Sequence, residues 1–113
     1  MLEALILALA LQTSTIVKNP RNVEFTCSDH ATDTAHELDI INASGAVIQT
    51  LQLGDPPMGT DNIVRATINV QPIAFGTYTA KVRALVGTSK SEDSLPSNPF
   101  ERAPGTPGSV IVK

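Results

Sequence analysis

The chain has no tryptophan, one tyrosine and one cysteine in 113 residues, and each scarcity closes off a class of function. Aromatic residues make up 4% of the sequence, too few to build a base-stacking platform or a flat sugar-binding face. A lone Cys27 cannot form an internal disulfide, so the fold must be held by its core. Charge is also thin. Asp, Glu, Lys and Arg together reach 17%, where about 25% is usual. The net charge is -3, and no run of Lys or Arg occurs. The general electrostatic pull toward nucleic-acid phosphates is therefore missing, and an anionic membrane surface is disfavoured.

What the chain does have is greasy sequence in two patterns. Residues 2–11, LEALILALAL, are apolar apart from Glu3 and carry strong helix formers. Ten helical residues rise about 15 Å, half of a bilayer core, so a transmembrane span is not expected. Ala8-Leu9-Ala10 imitates a signal cleavage site, but the basic region that opens a signal peptide is missing. A helix apolar on every side has to be buried somewhere. The first expectation is an arm, residues 1–15, that docks on a protein partner or a neighbouring copy through Leu2, Leu5, Ile6 and Leu9. A signal or membrane anchor is the alternative, followed by packing on its own domain.

From residue 13 onward the period changes to two. TSTIVK is β-prone and ends at Asn19-Pro20. In VEFTCSD, Val23, Phe25 and Cys27 alternate with polar residues, the mark of a strand buried on one face. ELDII places Leu38 and Ile40 on one face and Glu37 and Asp39 on the other. Asn42-Ala43-Ser44-Gly45 is a hairpin turn leading into AVIQTLQL. NIVRATINV alternates through Val64, Ala66, Ile68 and Val70, and TYTAKVRALV through Tyr78, Ala80, Val82 and Ala84. Leu95–Phe100 reads as a short last strand, which Pro96 and Pro99 confine to an edge. APGTPG is a linker, and SVIVK is a β-prone C-terminal tail that either adds to a neighbour's sheet edge or pairs back on its own domain. The expected core is Val23, Phe25, Cys27, Leu38, Ile40, Ile68, Tyr78 and Val82. The domain expected is residues 16–102, with residues 103–113 as linker and tail.

The order of these strands resembles the fibronectin type III domain, an Ig-like fold. The wording is nearest over residues 73–100, where Ile73, Gly76-Thr77, Tyr78, Val82, Arg83-Ala84, Ser94, Ser97 and Pro99 approximate the family pattern. The resemblance covers roughly residues 20–100. It implies an all-β, seven-stranded antiparallel β-sandwich, here preceded by the apolar, helix-prone arm. Two places depart from the pattern. Cys27 stands where the family usually has a tryptophan, and Thr77 and Tyr78 are adjacent where one residue usually separates them, which alters the spacing of the tyrosine corner.

Chemistry-bearing residues gather in one stretch: Asp29, His30, Asp33, His36, Glu37 and Asp39. The first reading is a solvated loop between two strands. If the loop holds a cation, Asp29, Asp33 and His36 are the candidate ligands. His36-Glu37 lacks the second histidine of a metalloprotease helix, and no nucleophile elbow or phosphate loop is present. No catalytic residue and no cofactor are expected. Asn42-Ala43-Ser44 is formally a glycosylation acceptor, and reads first as an ordinary turn.

Fibronectin-like and Ig-like domains are common on bacterial surfaces and bacteriophage particles. The functional expectation is a non-catalytic structural or interaction module in a larger extracellular assembly, most specifically a virion component docking through its arm. A membrane-anchored or secreted surface adhesion module is the alternative. A carbohydrate-binding module comes after it, because the aromatic platform is missing.

Overall fold

A computed structural model describes residues 16–113; the expected docking residues Leu2, Leu5, Ile6 and Leu9 lie outside that range. The described residues are all-β and hold eight strands in two sheets. They are β1 (Val17–Lys18), β2 (Asn22–Phe25), β3 (Ala35–Ile41), β4 (Val47–Gly54), β5 (Val64–Thr67), β6 (Gly76–Val86), β7 (Ser89–Lys90) and β8 (Phe100–Arg102). One sheet runs β1-β8-β6-β3-β4, with β7 also on β6; the other is β2 paired with β5. All pairings are antiparallel except β1 with β8.

The β3–β4 hairpin forms because its turn satisfies itself. Asn42 Oδ1 accepts hydrogen bonds from the backbone amides of Ser44 and Ala46, and Gly45 supplies the positive φ of +87°. Register then puts Leu38 opposite Leu51 and Val82, and Ile40 opposite Ala80, so alternate residues share one dry face. On that face Leu38, Ile40, Tyr78 and Ala80 join Val70, Ile73 and Phe100 in one buried cluster, with Val23, Leu51, Leu53 and Ile68 partly buried against it. Phe25, Cys27 and Val82 are half-buried. Val64 and Ala66 of β5 are also buried. The Tyr78 hydroxyl donates to the Ala74 carbonyl at 2.7 Å, tying the start of β6 to the turn before it.

Three expectations need correcting. The strand through VEFTCSD stops at Phe25, because residues 28–32 turn to bring the chain across to β3. The stretch Leu95–Pro99 is not a strand; the last strand is Phe100–Arg102. The segment before it, from Ser91 to Asn98, is held to β6 by a different device, a ladder of serines three residues apart. The amides of Ser91, Ser94 and Ser97 donate to the carbonyls of Ala84, Val82 and Ala80 at 2.9, 2.8 and 2.8 Å. Their hydroxyls accept from the amides of the same three residues, each at 2.9 Å. In an ordinary antiparallel pair the partner's carbonyl accepts that bond; here a side chain replaces it. Each hydroxyl proton is used in turn on the next residue's carbonyl, that of Glu92, Leu95 or Asn98.

The third correction concerns charge. Glu37 and Asp39 lie on the face opposite Leu38, as their alternation requires, yet they are buried rather than solvated. Arg83 of β6 covers them. It pairs with Glu37 Oε2 at 2.7 Å and with Asp39 Oδ2 at 2.6 Å, and reaches Asp93 Oδ1 at 3.2 Å. Thr50 donates to Asp39 Oδ1 at 2.6 Å. The Arg83 hydrogen bond holds the Glu37 carboxyl below its ordinary range. At Asp39 burial pushes the other way, but hydrogen bonds from Arg83 and Thr50 outweigh it, and the net shift is also downward.

Candidate metal centre

The turn between β2 and β3 is short and internally bonded. The Asp29 carbonyl accepts from the Thr32 amide at 3.0 Å and from the Thr32 hydroxyl at 2.9 Å, and the His30 carbonyl accepts from the Asp33 amide at 3.2 Å. This folds Asp33 back toward Cys27, which lies just beyond the end of β2. His36 is the second residue of β3 and points to the core face, where its ring lies 5.3 Å from that of Phe25.

The result is a cluster of three donors: Cys27 Sγ, an Asp33 carboxylate oxygen and a His36 ring nitrogen, all within 4.8 Å of one another. The Cys27 thiol donates to Asp33 Oδ2 at 2.7 Å. His36 Nε2 lies 3.2 Å from the same oxygen but is misaligned for a hydrogen bond. His36 is 1% exposed, and among the described residues neither of its ring nitrogens has a hydrogen-bond partner. Nδ1 faces Asp55 Oδ1 at 3.9 Å. Asp55 also lies 3.5 Å from His30 Nε2, which hydrogen-bonds the Pro56 carbonyl at 2.7 Å. The two imidazoles stack at 5.6 Å.

Of the three ligands expected from sequence, Asp33 and His36 come together. The Asp29 side chain is not in the donor group. Cys27, read from its alternation as a core hydrophobe, takes the third place. The signal was available in the spacing, since Cys27, Asp33 and His36 bracket one tight turn, but alternation alone assigned the thiol to the core. The expectation of a solvated loop holds for Ser28, Asp29, Ala31, Thr32 and Thr34, which are exposed, whereas Asp33 and, at the start of β3, His36 are buried.

Nucleophilic chemistry does not fit the thiol. Burial first, then the hydrogen bond to Asp33 and that residue's charge, push Cys27 up to about 11, so it is protonated at neutral pH. A reactive cysteine needs the opposite shift. A cleft of about 260 Å³ opens beside the cluster, lined by Thr26, Ser28 and Asp29 on one side and by Arg83, Ser91 and Ser94 on the other. Among the described residues no helix is long and apolar enough to cross a membrane. In comparisons with known proteins, no family model, no curated protein and no solved structure matches this chain.

Proposed function

We propose that this chain is a non-catalytic structural module, a fibronectin type III or Ig-like β-sandwich displayed in a larger extracellular assembly such as a bacteriophage virion. Apolar segments flanking the two sheets attach it to neighbouring protein subunits. The strand order supports the architectural part of this reading. β2 with β5 forms one sheet, and β4-β3-β6 followed by the segment through β8 forms the other. The hydroxyl of Tyr78 on the Ala74 carbonyl is the corner that such sandwiches use.

The observation that carries the docking role is the segment after the Pro/Gly linker. Val110, Ile111 and Val112 are 83%, 78% and 90% exposed, and no sheet pairing among the described residues includes them. Burying each of these side chains is worth about 1.5–3 kcal/mol, a strong drive toward a protein surface. Three consecutive β-branched residues also suit an added strand.

Light scattering on the full chain and on a chain lacking residues 109–113 tests this. The full chain should self-associate. The shortened chain should keep its melting temperature and lose the larger species. A full chain that stays monomeric at high concentration, or a shortened chain that associates equally well, would refute the docking role.

A further inference from the structure

We infer that Cys27, Asp33 and His36 form a binding site for a divalent cation of the zinc class. This inference does not depend on the role proposed for the whole chain. It rests on what the buried His36 lacks. Asp33 is a buried carboxylate, and His36 Nε2 lies 3.2 Å from it without hydrogen-bonding it. His36 is fully buried with both ring nitrogens idle. A buried polar group without a partner costs about 1–3 kcal/mol, and such groups in a folded protein call for an unseen partner. One cation gives Nε2 a partner and joins it to the Asp33 carboxylate and the Cys27 sulfur.

The donor set chooses the ion. One sulfur, one imidazole nitrogen and one carboxylate oxygen suit zinc and its neighbours, whereas calcium and magnesium want oxygen alone. Charge balances as well. The ion displaces the thiol proton to solvent, and the thiolate and the Asp33 carboxylate then neutralise its two positive charges. With Nε2 on the metal, Nδ1 carries the proton and faces Asp55 Oδ1 at 3.9 Å. A carboxylate behind a ligating histidine is the usual outer-shell arrangement. Three protein donors leave the fourth tetrahedral position for water, and the adjoining cleft gives it room. Such an ion would pin the end of β2 to the start of β3.

Cobalt(II) and zinc(II), added separately to the full chain under reducing conditions, test the site. Cobalt should bind with one-to-one stoichiometry and show a sulfur-to-cobalt charge-transfer band with tetrahedral d–d absorption. Zinc should compete it away and raise the melting temperature. Cys27→Ser, a small change at a half-buried position, should abolish the charge-transfer band. Asp55→Asn should keep the band and weaken binding about tenfold, the lower end of outer-shell effects. His36→Gln should abolish binding, but its buried position puts folding at risk, so Cys27→Ser and Asp55→Asn carry the decision. Failure of the wild-type chain to show the band or a melting shift at millimolar metal would overturn the site. So would a band or an affinity unchanged in Cys27→Ser.

Discussion

Removing one hydroxyl at a time from the serine ladder should give three unequal losses of stability. Ser91, Ser94 and Ser97 make the same pair of bonds to β6 with nearly the same distances. Their surroundings differ. The amide that Ser97 Oγ accepts from belongs to Ala80, which is buried and part of the central cluster. The amides of Val82 and Ala84, served by Ser94 and Ser91, lie at exposed bonds. Truncation to alanine keeps the serine amide's own bond in every case and orphans only the β6 amide. Water can replace the lost acceptor at Val82 and Ala84, so Ser94→Ala and Ser91→Ala should each cost about 0.5 kcal/mol, the low end for a hydrogen bond. The Ala80 bond is partly buried, so water replaces the acceptor less well there, and Ser97→Ala should cost about 1–2 kcal/mol, within the range for a buried unpaired donor. At about 4–8 °C per kcal/mol for a domain of this size, its melting temperature should fall roughly 4–16 °C. Urea unfolding gives the free energies, and amide hydrogen exchange at Ala80 reports the bond directly. If Ser97→Ala costs no more than Ser91→Ala and Ala80 stays protected, the hydroxyls are not serving as strand acceptors.

Two further outcomes follow from the same reasoning. Tyr78→Phe deletes the corner hydroxyl and leaves the Ala74 carbonyl short of a donor, and should cost about 1 kcal/mol in urea unfolding with the fold unchanged by circular dichroism. The carboxyls of Glu37 and Asp39 sit below their ordinary ranges in the folded state. Their contribution is therefore present above the unfolded values of about 4 and is lost as pH falls through the folded ones. Melting temperature should decline in acid for the native chain, and that decline should flatten in Arg83→Met, which removes the guanidinium responsible. An acid decline of equal depth in Arg83→Met would place its source elsewhere.

Much of the sheet was legible because period two speaks directly about faces. Leu38 and Ile40 against Tyr78, Ala80 and Val82 gave the two central strands, and Asn42 to Gly45 gave the turn between β3 and β4. What alternation leaves out is the cover on each face. Glu37 and Asp39 stood on the side taken to be wet, but Arg83, 46 and 44 residues further on, lies across them. That pairing depends on register between β3 and β6, which local pattern does not set. The serine ladder was half visible. Its three-residue spacing was in the sequence, yet a strand test looks for alternation in twos, and the prolines argued only for an edge. In the cluster of Cys27, Asp33 and His36 the histidine and aspartate were found by type. Cys27 was missed because an apolar-looking place in VEFTCSD and a place beside Asp33 are the same place once the turn closes.

The ladder also determines in which direction this sheet can be extended. A growing β-structure needs a row of free amides and carbonyls at its border. Along residues 91–99 the outward margin is interrupted by Pro96 and Pro99, and its serine hydroxyls are already committed inward, so an incoming chain finds little to bond there. At the opposite border β4 offers eight residues paired only to β3 among the described strands, with Val47 and Ile48 exposed. Between these two margins, a polymer or misfolded aggregate propagating by strand exchange should therefore be seeded from Val47–Gly54 rather than from residues 91–99, and a lysine placed at Ile48 should act as a gatekeeper there.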